Sequence, residues 1–332
     1  MKNSVSTLAL LLLQTTLGVL SFATGPAPGA SATVTPVDVI NTMESGGIHA
    51  GFRRNHAKGL CFGGTFKPSK GASSLSSSNL FEGPTSTVMG RFSNPGPNPV
   101  SADNAPMPRG MALQFHPEKG DTSNMSMLNV PAFAVSTPEA FNELLKVKTP
   151  EQIAVFKKKY PRSEVFFKFV ETHGVPQSFT TVDFHSLHAF KFTNKKGQSQ
   201  YARWNFISQQ GNRFLTADQA KSKSANFLSE GLVSELKKGP VSWDMEAILA
   251  KEGDNLTDPS AEWKGDHKKI KLGTLTITKT TGNGEGPCDM INFDPNNLAA
   301  GIESSDDPIL KFRSPAYGLS FGKRATEKAK AQ

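Results

Sequence analysis

Asp307-Pro308-Ile309-Leu310-Lys311-Phe312-Arg313-Ser314-Pro315-Ala316-Tyr317, close to the end of this 332-residue chain, is the stretch from which the fold is worked out. Aspartate followed by proline predicts a helix start, since the carboxylate caps free amides and proline's missing N–H costs nothing at the first helical position. On that helix Arg313 and Tyr317 stand four residues apart and share a face. A guanidinium beside a phenol favours the phenolate, the form in which tyrosine holds a metal. Pro315 between them removes one backbone bond and invites a kink. Taken alone, such a pair is an ordinary helix-surface contact and proves nothing.

Outward from this helix the chain reads as α+β. Met111–Phe115, Phe166–Val170, His188–Thr193, Tyr201–Ile207 and Leu272–Thr278 alternate apolar and polar residues over short lengths. That pattern predicts strands of a half-buried antiparallel sheet or barrel. Helices are predicted over 138–145, 150–159, 216–238 and 242–251, with a shorter one from Pro36 to the Gly46-Gly47 break. Residues 67–110, rich in Ser, Pro, Gly and Asn, read as long loops wrapping the scaffold. No repeat of fixed period is visible, which excludes solenoids and propellers.

At the N-terminus Lys2 precedes an apolar block, Leu8–Leu13, that resumes as Leu17–Leu20. Small residues follow at Ser21-Phe22-Ala23 and at Ala30-Ser31-Ala32. This is the shape of an export signal over residues 1–23, with a second cleavage choice at 32, and predicts a periplasmic or secreted protein without stable membrane insertion. One domain is expected over 33–324, then a basic tail over 325–332. The formal charge of +8 is scattered, not gathered into a stripe with interleaved aromatics, which argues against nucleic acid. Two cysteines, Cys61 and Cys288, exclude a disulfide-framework miniprotein and a multi-cysteine metal site. Whether they pair depends on their distance in space, which sequence separation does not give.

Towards the other end runs Arg53-Arg54-Asn55-His56-Ala57-Lys58-Gly59, followed by Gly63-Gly64-Thr65-Phe66. A single histidine is usually structural, but these segments and the tyrosine helix together resemble the distal signature and the proximal ligand motif of the catalase superfamily, in the family's order and approximate spacing. The resemblance runs from about Gly51 to Arg324 and takes in Pro108–Ala112, His185–Asn194, Phe293–Asn296 and Gly301–Glu303. It is to the short, monofunctional branch of catalase-related peroxidases, which lacks the C-terminal helical domain and the wrapping connection of large catalases. That branch implies a monomer or homodimer.

The resemblance implies an antiparallel β-barrel with surrounding helices and long wrapping loops, and haem, as haem b, buried between the barrel and the C-terminal helix. By position His56 resembles the distal acid–base residue, Tyr317 the axial ligand of the haem iron, and Arg313 the partner of its phenolate. Arg53, Arg91 and Arg324 resemble the arginines that hold the propionates; guanidinium forks suit carboxylates. Phe133 and Phe141 fall where the family sets aromatic rings against haem. Ser93 resembles the hydroxyl paired with the distal imidazole, and His188 a proximal-side histidine. The implied reaction is reduction of hydrogen peroxide or an organic hydroperoxide by an external organic donor, with weak catalase activity.

Two departures bear on that reaction. Where large catalases carry a distal asparagine this chain has Leu128, and Asn129, one residue on, should face the other side of its strand unless a bulge restores it. Asn55 stands where an apolar β-branched residue is usual, as a polar residue does in catalase-like allene oxide synthases, so a fatty-acid hydroperoxide isomerase is the rival enzyme. A non-enzymatic haem carrier is the third reading, which His56 argues against because a carrier needs no distal acid–base group.

Overall fold

Ten strands form one antiparallel sheet: β1 (Gly59–Pro68), β2 (Ser86–Ser93), β3 (Gly110–His116), β4 (Ser123–Leu128), β5 (Phe184–His185), β6 (Phe190–Thr193), β7 (Ser199–Ser208), β8 (Val241–Leu249), β9 (Lys269–Thr280) and β10 (Ile302–Ser304). Eight of them run in the order β7-β5-β4-β3-β2-β1-β9-β8, and the β7–β8 pairing closes the ring into a barrel. β6 and β10 extend from the first half of β7. This computed structural model describes residues 33–281 and 286–331; the leader expected over residues 1–23 lies outside them.

Period-2 side-chain alternation fills the barrel. Phe62, Phe92, Phe115, Phe184, Phe206 and Trp243 are buried in one core, where the Phe92 ring stacks on Phe179 at 4.7 Å and meets Phe62 at 4.6 Å. The same alternation turns Arg91 and Ser93, on either side of Phe92, to the opposite face of the sheet. Helices cover the sheet: α1 (Pro36–Glu44), α2 (Asn79–Glu82), α3 (Pro138–Leu144), α4 (Pro150–Lys159), α5 (Ser163–His173), α6 (Ala217–Lys221), α7 (Phe227–Leu236) and α8 (Pro308–Ala331). No helix among the described residues is long and apolar enough to cross a membrane.

Several expectations are corrected. Phe166–Val170 is not a strand but part of α5, whose Phe166 and Phe167 pack against a cluster holding Phe133, Phe141 and Phe156; a short apolar run is ambiguous between the two periods. Residues 242–251 are not a helix. Val241, Trp243, Met245 and Ala247 are buried and alternate with half-buried neighbours, and this period-2 burial overrides the helix propensity of Met, Glu and Ala. The loop region 67–110 contains β2 and α2. The single helix expected over 216–238 is broken into α6 and α7 where the Ala225 carbonyl accepts from Lys58 Nζ and the Asp103 amide. α8 continues through Pro315 and on to Ala331, so most of the expected tail is helical. Glu327, within that stretch, pairs with Arg54, which also holds Glu44 of α1 at 2.7 Å.

Phe92→Ala should cost about 3–5 kcal/mol in denaturant unfolding, because it empties the middle of the barrel core. Val155→Ala, at a position 70% exposed, should cost under about 0.5 kcal/mol. Equal costs would contradict the placement of Phe92.

Candidate active site

The face of the sheet that carries Arg91 and Ser93 opens onto a cavity of about 630 Å³, closed by α1, α3 and α8. Strand register sets its wall. Gly59, Ser93, Gly110 and Leu128 stand opposite one another across β1–β4, and Cys61, Arg91, Ala112 and Ser126 form the next row. Most of these side chains are small, which leaves space over the sheet. At Gly110 the smallness is required: a Cβ there would lie 2.7 Å from Ser93 Oγ and 3.1 Å from His56 Nδ1.

His56 reaches this wall from the loop before β1. Its backbone is left-handed, with φ 57°. Asn55 supports that strained conformation: its Oδ1 accepts from the His56 amide at 2.9 Å and from the Gly96 amide at 2.6 Å. Ser93 Oγ lies 2.9 Å from Nδ1, which leaves Nε2 as the ring nitrogen for the cavity. Burial, together with the cations of Arg91, Arg313 and Arg53, pushes the imidazole down to about 3. It is therefore a neutral proton acceptor through the physiological range.

On the α8 side a chain of hydrogen bonds leads to Tyr317. Asp307 Oδ2 lies 2.6 Å from His188 Nδ1, Arg313 Nη1 lies 3.3 Å from His188 Nε2, and Arg313 Nη2 donates to the Tyr317 hydroxyl at 2.5 Å. Burial holds His188 below the ordinary imidazole range against the opposing pull of Asp307. A neutral ring donating from Nδ1 to the carboxylate accepts at Nε2 from Arg313. Asp307 also caps α8 through Oδ1, which accepts from the Ile309 and Leu310 amides at 2.8 and 3.2 Å. One carboxylate thus starts the helix and orients the relay, and Pro315 does not break the Arg313–Tyr317 contact.

The remaining arginines gather at one end. Arg53 Nη2 donates to the carbonyls of Cys288 and Ile291 at 3.1 and 3.0 Å, Arg324 to those of Asp289 and Ile291, and Arg91 to those of His56 and Ala57 at 2.8 and 2.9 Å. Burial, and then the neighbouring Arg53, lower both Arg91 and Arg324 to about 9, with Asp289 opposing. Backbone carbonyls satisfy the donors but do not balance the charge. Phe133 and Phe141, 5.8 Å apart, line the cavity together with Phe166.

All the expected site residues line this one cavity. Asn129 does not: no bulge interrupts the β3–β4 register, and its Oδ1 accepts from the Arg109 amide at 2.6 Å, leaving Leu128 at the wall. Sequence reasoning took Asp307 only for a helix cap and missed Phe166 by assigning it to a strand. It also left out Arg54, whose ion pairs tie the His56 loop to α1 and α8. Cys61 and Cys288 are joined as a disulfide, with Cα atoms 5.6 Å apart.

Comparison with known proteins agrees with this geometry. Residues 50–330 match the family model described as Catalase. A catalase-related peroxidase of Synechococcus elongatus is 38% identical over 305 residues, 89% of this chain and 90% of that protein. Another, of Mycolicibacterium paratuberculosis, is 34% identical over 297 residues, 87% and 95% of the two chains. The solved structure of catalase A from Saccharomyces cerevisiae superposes with a TM-score of 0.77 at 21% identity, over 83% of this chain and 62% of that one, which shows the shared fold. With a closed barrel, a histidine and a tyrosine on one cavity, and similarity over about nine-tenths of two catalase-related peroxidases, the chain belongs to the catalase family, in its catalase-related peroxidase branch.

Proposed function

We propose that this chain is a haem peroxidase that reduces hydrogen peroxide or organic hydroperoxides with an external organic donor, with weak catalase activity. The observation that carries the reading is that a neutral histidine, oriented by Ser93, and a tyrosine bonded to an arginine line the same cavity. The residues present fit haem b. The cavity is of cofactor size, the wall of small residues leaves room for a flat ring, and the cluster of Arg53, Arg91 and Arg324 lacks the anionic charge that two propionates would bring. Tyr317 would hold the iron and Phe133 and Phe141 would pack on the ring.

Bound haem supplies the redox centre at which the peroxide bond is cleaved. His56 takes the hydroperoxide proton at Nε2 and returns it to the outer oxygen, which leaves as water or alcohol. Arg313, positioned by His188 and through it by Asp307, donates to the Tyr317 hydroxyl and fixes the oxygen that would hold the iron. Leu128 offers no hydrogen bond to a second peroxide, which favours an outside reductant over disproportionation. Asn55 uses its amide oxygen on backbone, so the polar residue that suggested an isomerase has a structural task. We further propose export to the periplasm or outside the cell and a monomeric or homodimeric state. The leader-like N-terminus supports export, and so does the Cys61–Cys288 disulfide, since such bonds persist in oxidising compartments.

His56→Ala should retain haem and lose about 10²–10⁴-fold in peroxide cleavage, whereas Tyr317→Phe should lose haem or change its ligation. Stopped-flow rates and absorption spectra on both variants measure this, and equal haem loss in the two would contradict the assignment. Because His56 stays neutral down to about 3, the wild-type cleavage rate should be flat between about pH 5 and 8. A decline on acidification through about pH 6.5, the ordinary imidazole range, would mean that the ring titrates normally.

Leu128→Asn should raise oxygen release relative to donor oxidation about five- to ten-fold, as expected for one added hydrogen bond to the second peroxide. Oxygen-electrode and donor-oxidation rates on the same haem-loaded sample test it; no change in their ratio would remove Leu128 from the account.

A further inference from the structure

The disulfide lies against the arginine cluster, and all three arginines connect to it. Cys61 is the cross-strand partner of Arg91. The Cys288 carbonyl accepts from Arg53, and the next carbonyls in the same turn, those of Asp289 and Ile291, take Arg324, while Ile291 also takes Arg53. The segment 286–291 is therefore a bracket that aims two guanidinium groups.

Among the described residues, β4 fixes the chain just beyond that bracket, where the carbonyls of Asn292, Phe293 and Asp294 accept from Asn124 and Ser126. The bracket's amide bonds from Asp289 to Gly286 and from Ile291 to Cys288 are internal. Lys328 pairs with Asp289 at 3.3 Å, and Cys61, Cys288 and Ile291 share a small apolar cluster with Phe293. The guanidinium bonds tie it to Arg53 and Arg324 rather than to the barrel. Within the bracket itself, the direct tie to the barrel is the covalent bond from Cys288 to β1, across 227 residues of sequence.

We infer that the Cys61–Cys288 disulfide is a positioning element for the cofactor, setting the carbonyls that aim Arg53 and Arg324, so that haem is held tightly only once the pair is oxidised. The inference rests on the haem reading above. Oxidation proceeds by exchange with a small-molecule disulfide: the two cysteine thiols give up two electrons and two protons and form the S–S bond, and the exchanging disulfide takes them up and leaves as thiols. Assembly thus has an order, in which the bridge forms before the cofactor is secured.

The test follows haem transfer from the loaded protein to excess apomyoglobin, a readout independent of turnover. Compared are oxidised wild type, Cys61→Ala/Cys288→Ala, and Leu232→Ala. Leu232 is buried in α7 and does not line the cavity, so that variant destabilises the fold without touching the bracket. The double cysteine variant should release haem about 10- to 100-fold faster, the size of effect that supporting residues around a metal site have, while Leu232→Ala should stay at the wild-type rate. Equal release from wild type and the double variant overturns the inference, and so does equal acceleration in both variants, which would make the bridge a matter of global stability. If the double variant does not accumulate, wild type kept oxidised or pre-reduced gives the same comparison. Failure of oxidised wild type to take up haem at all would instead sink the haem reading, and the inference with it.

Discussion

Like charges brought together inside a protein are the constraint around which this molecule is arranged. Arg91 and Arg324 are buried, Arg53 and Arg313 face the same cavity, and Asp289 is the carboxylate whose field Arg53, Arg91 and Arg324 share. Withdrawing each ion from water costs several kcal/mol unless it is paired. The chain meets part of that cost with directed backbone: the 286–291 turn and the His56–Ala57 loop present carbonyls to the guanidinium groups. Carbonyl dipoles satisfy hydrogen bonds without neutralising charge, which is why the proposed haem, with its two propionates, would suit the site. The fold around the cluster is held by the barrel, the ion pairs of Arg54 and the disulfide.

The two sides of the cavity are built by different means. His56 is set by backbone strain held in place by an asparagine side chain, and its ring by one serine hydroxyl. Tyr317 is set by a rigid helix and by a relay that begins at that helix's own cap. Among the described residues only two that are not glycine have left-handed backbone, His56 and Leu187, and Leu187 immediately precedes the His188 of the relay. Strain of this kind persists only where surrounding contacts over-determine it, and here it falls at or next to the two imidazoles that line the cavity, His56 and His188.

Much of this was legible in the sequence, and the failures have physical causes. The tyrosine helix and the strands at 111–115, 201–207 and 272–278 carry local signals, namely a cap or an alternation, that survive folding, whereas the His56 segment was legible only through its resemblance to the catalase superfamily. Phe166 and the 242–251 segment were misassigned because a short apolar run fits both periods and tertiary burial decides between them. The second task of Asp307, the role of Asn55 and the Cys61–Cys288 bond are long-range or backbone-geometry facts with no local signature. Asn129 shows the converse: strand alternation alone predicted that it would turn away from the cavity, and the unbroken register bears that out.

The central claim, that a tyrosine on α8 is the ligand of an iron held over a wall of small residues, is tested most directly by titrating the purified apoprotein with haem while recording absorption and electron paramagnetic resonance spectra. The account predicts saturation at one haem per chain, with a ferric, phenolate-ligated high-spin signal that Tyr317→Phe abolishes. Absence of saturable binding, or a low-spin signal of two histidine ligands that is unchanged in Tyr317→Phe, would contradict it.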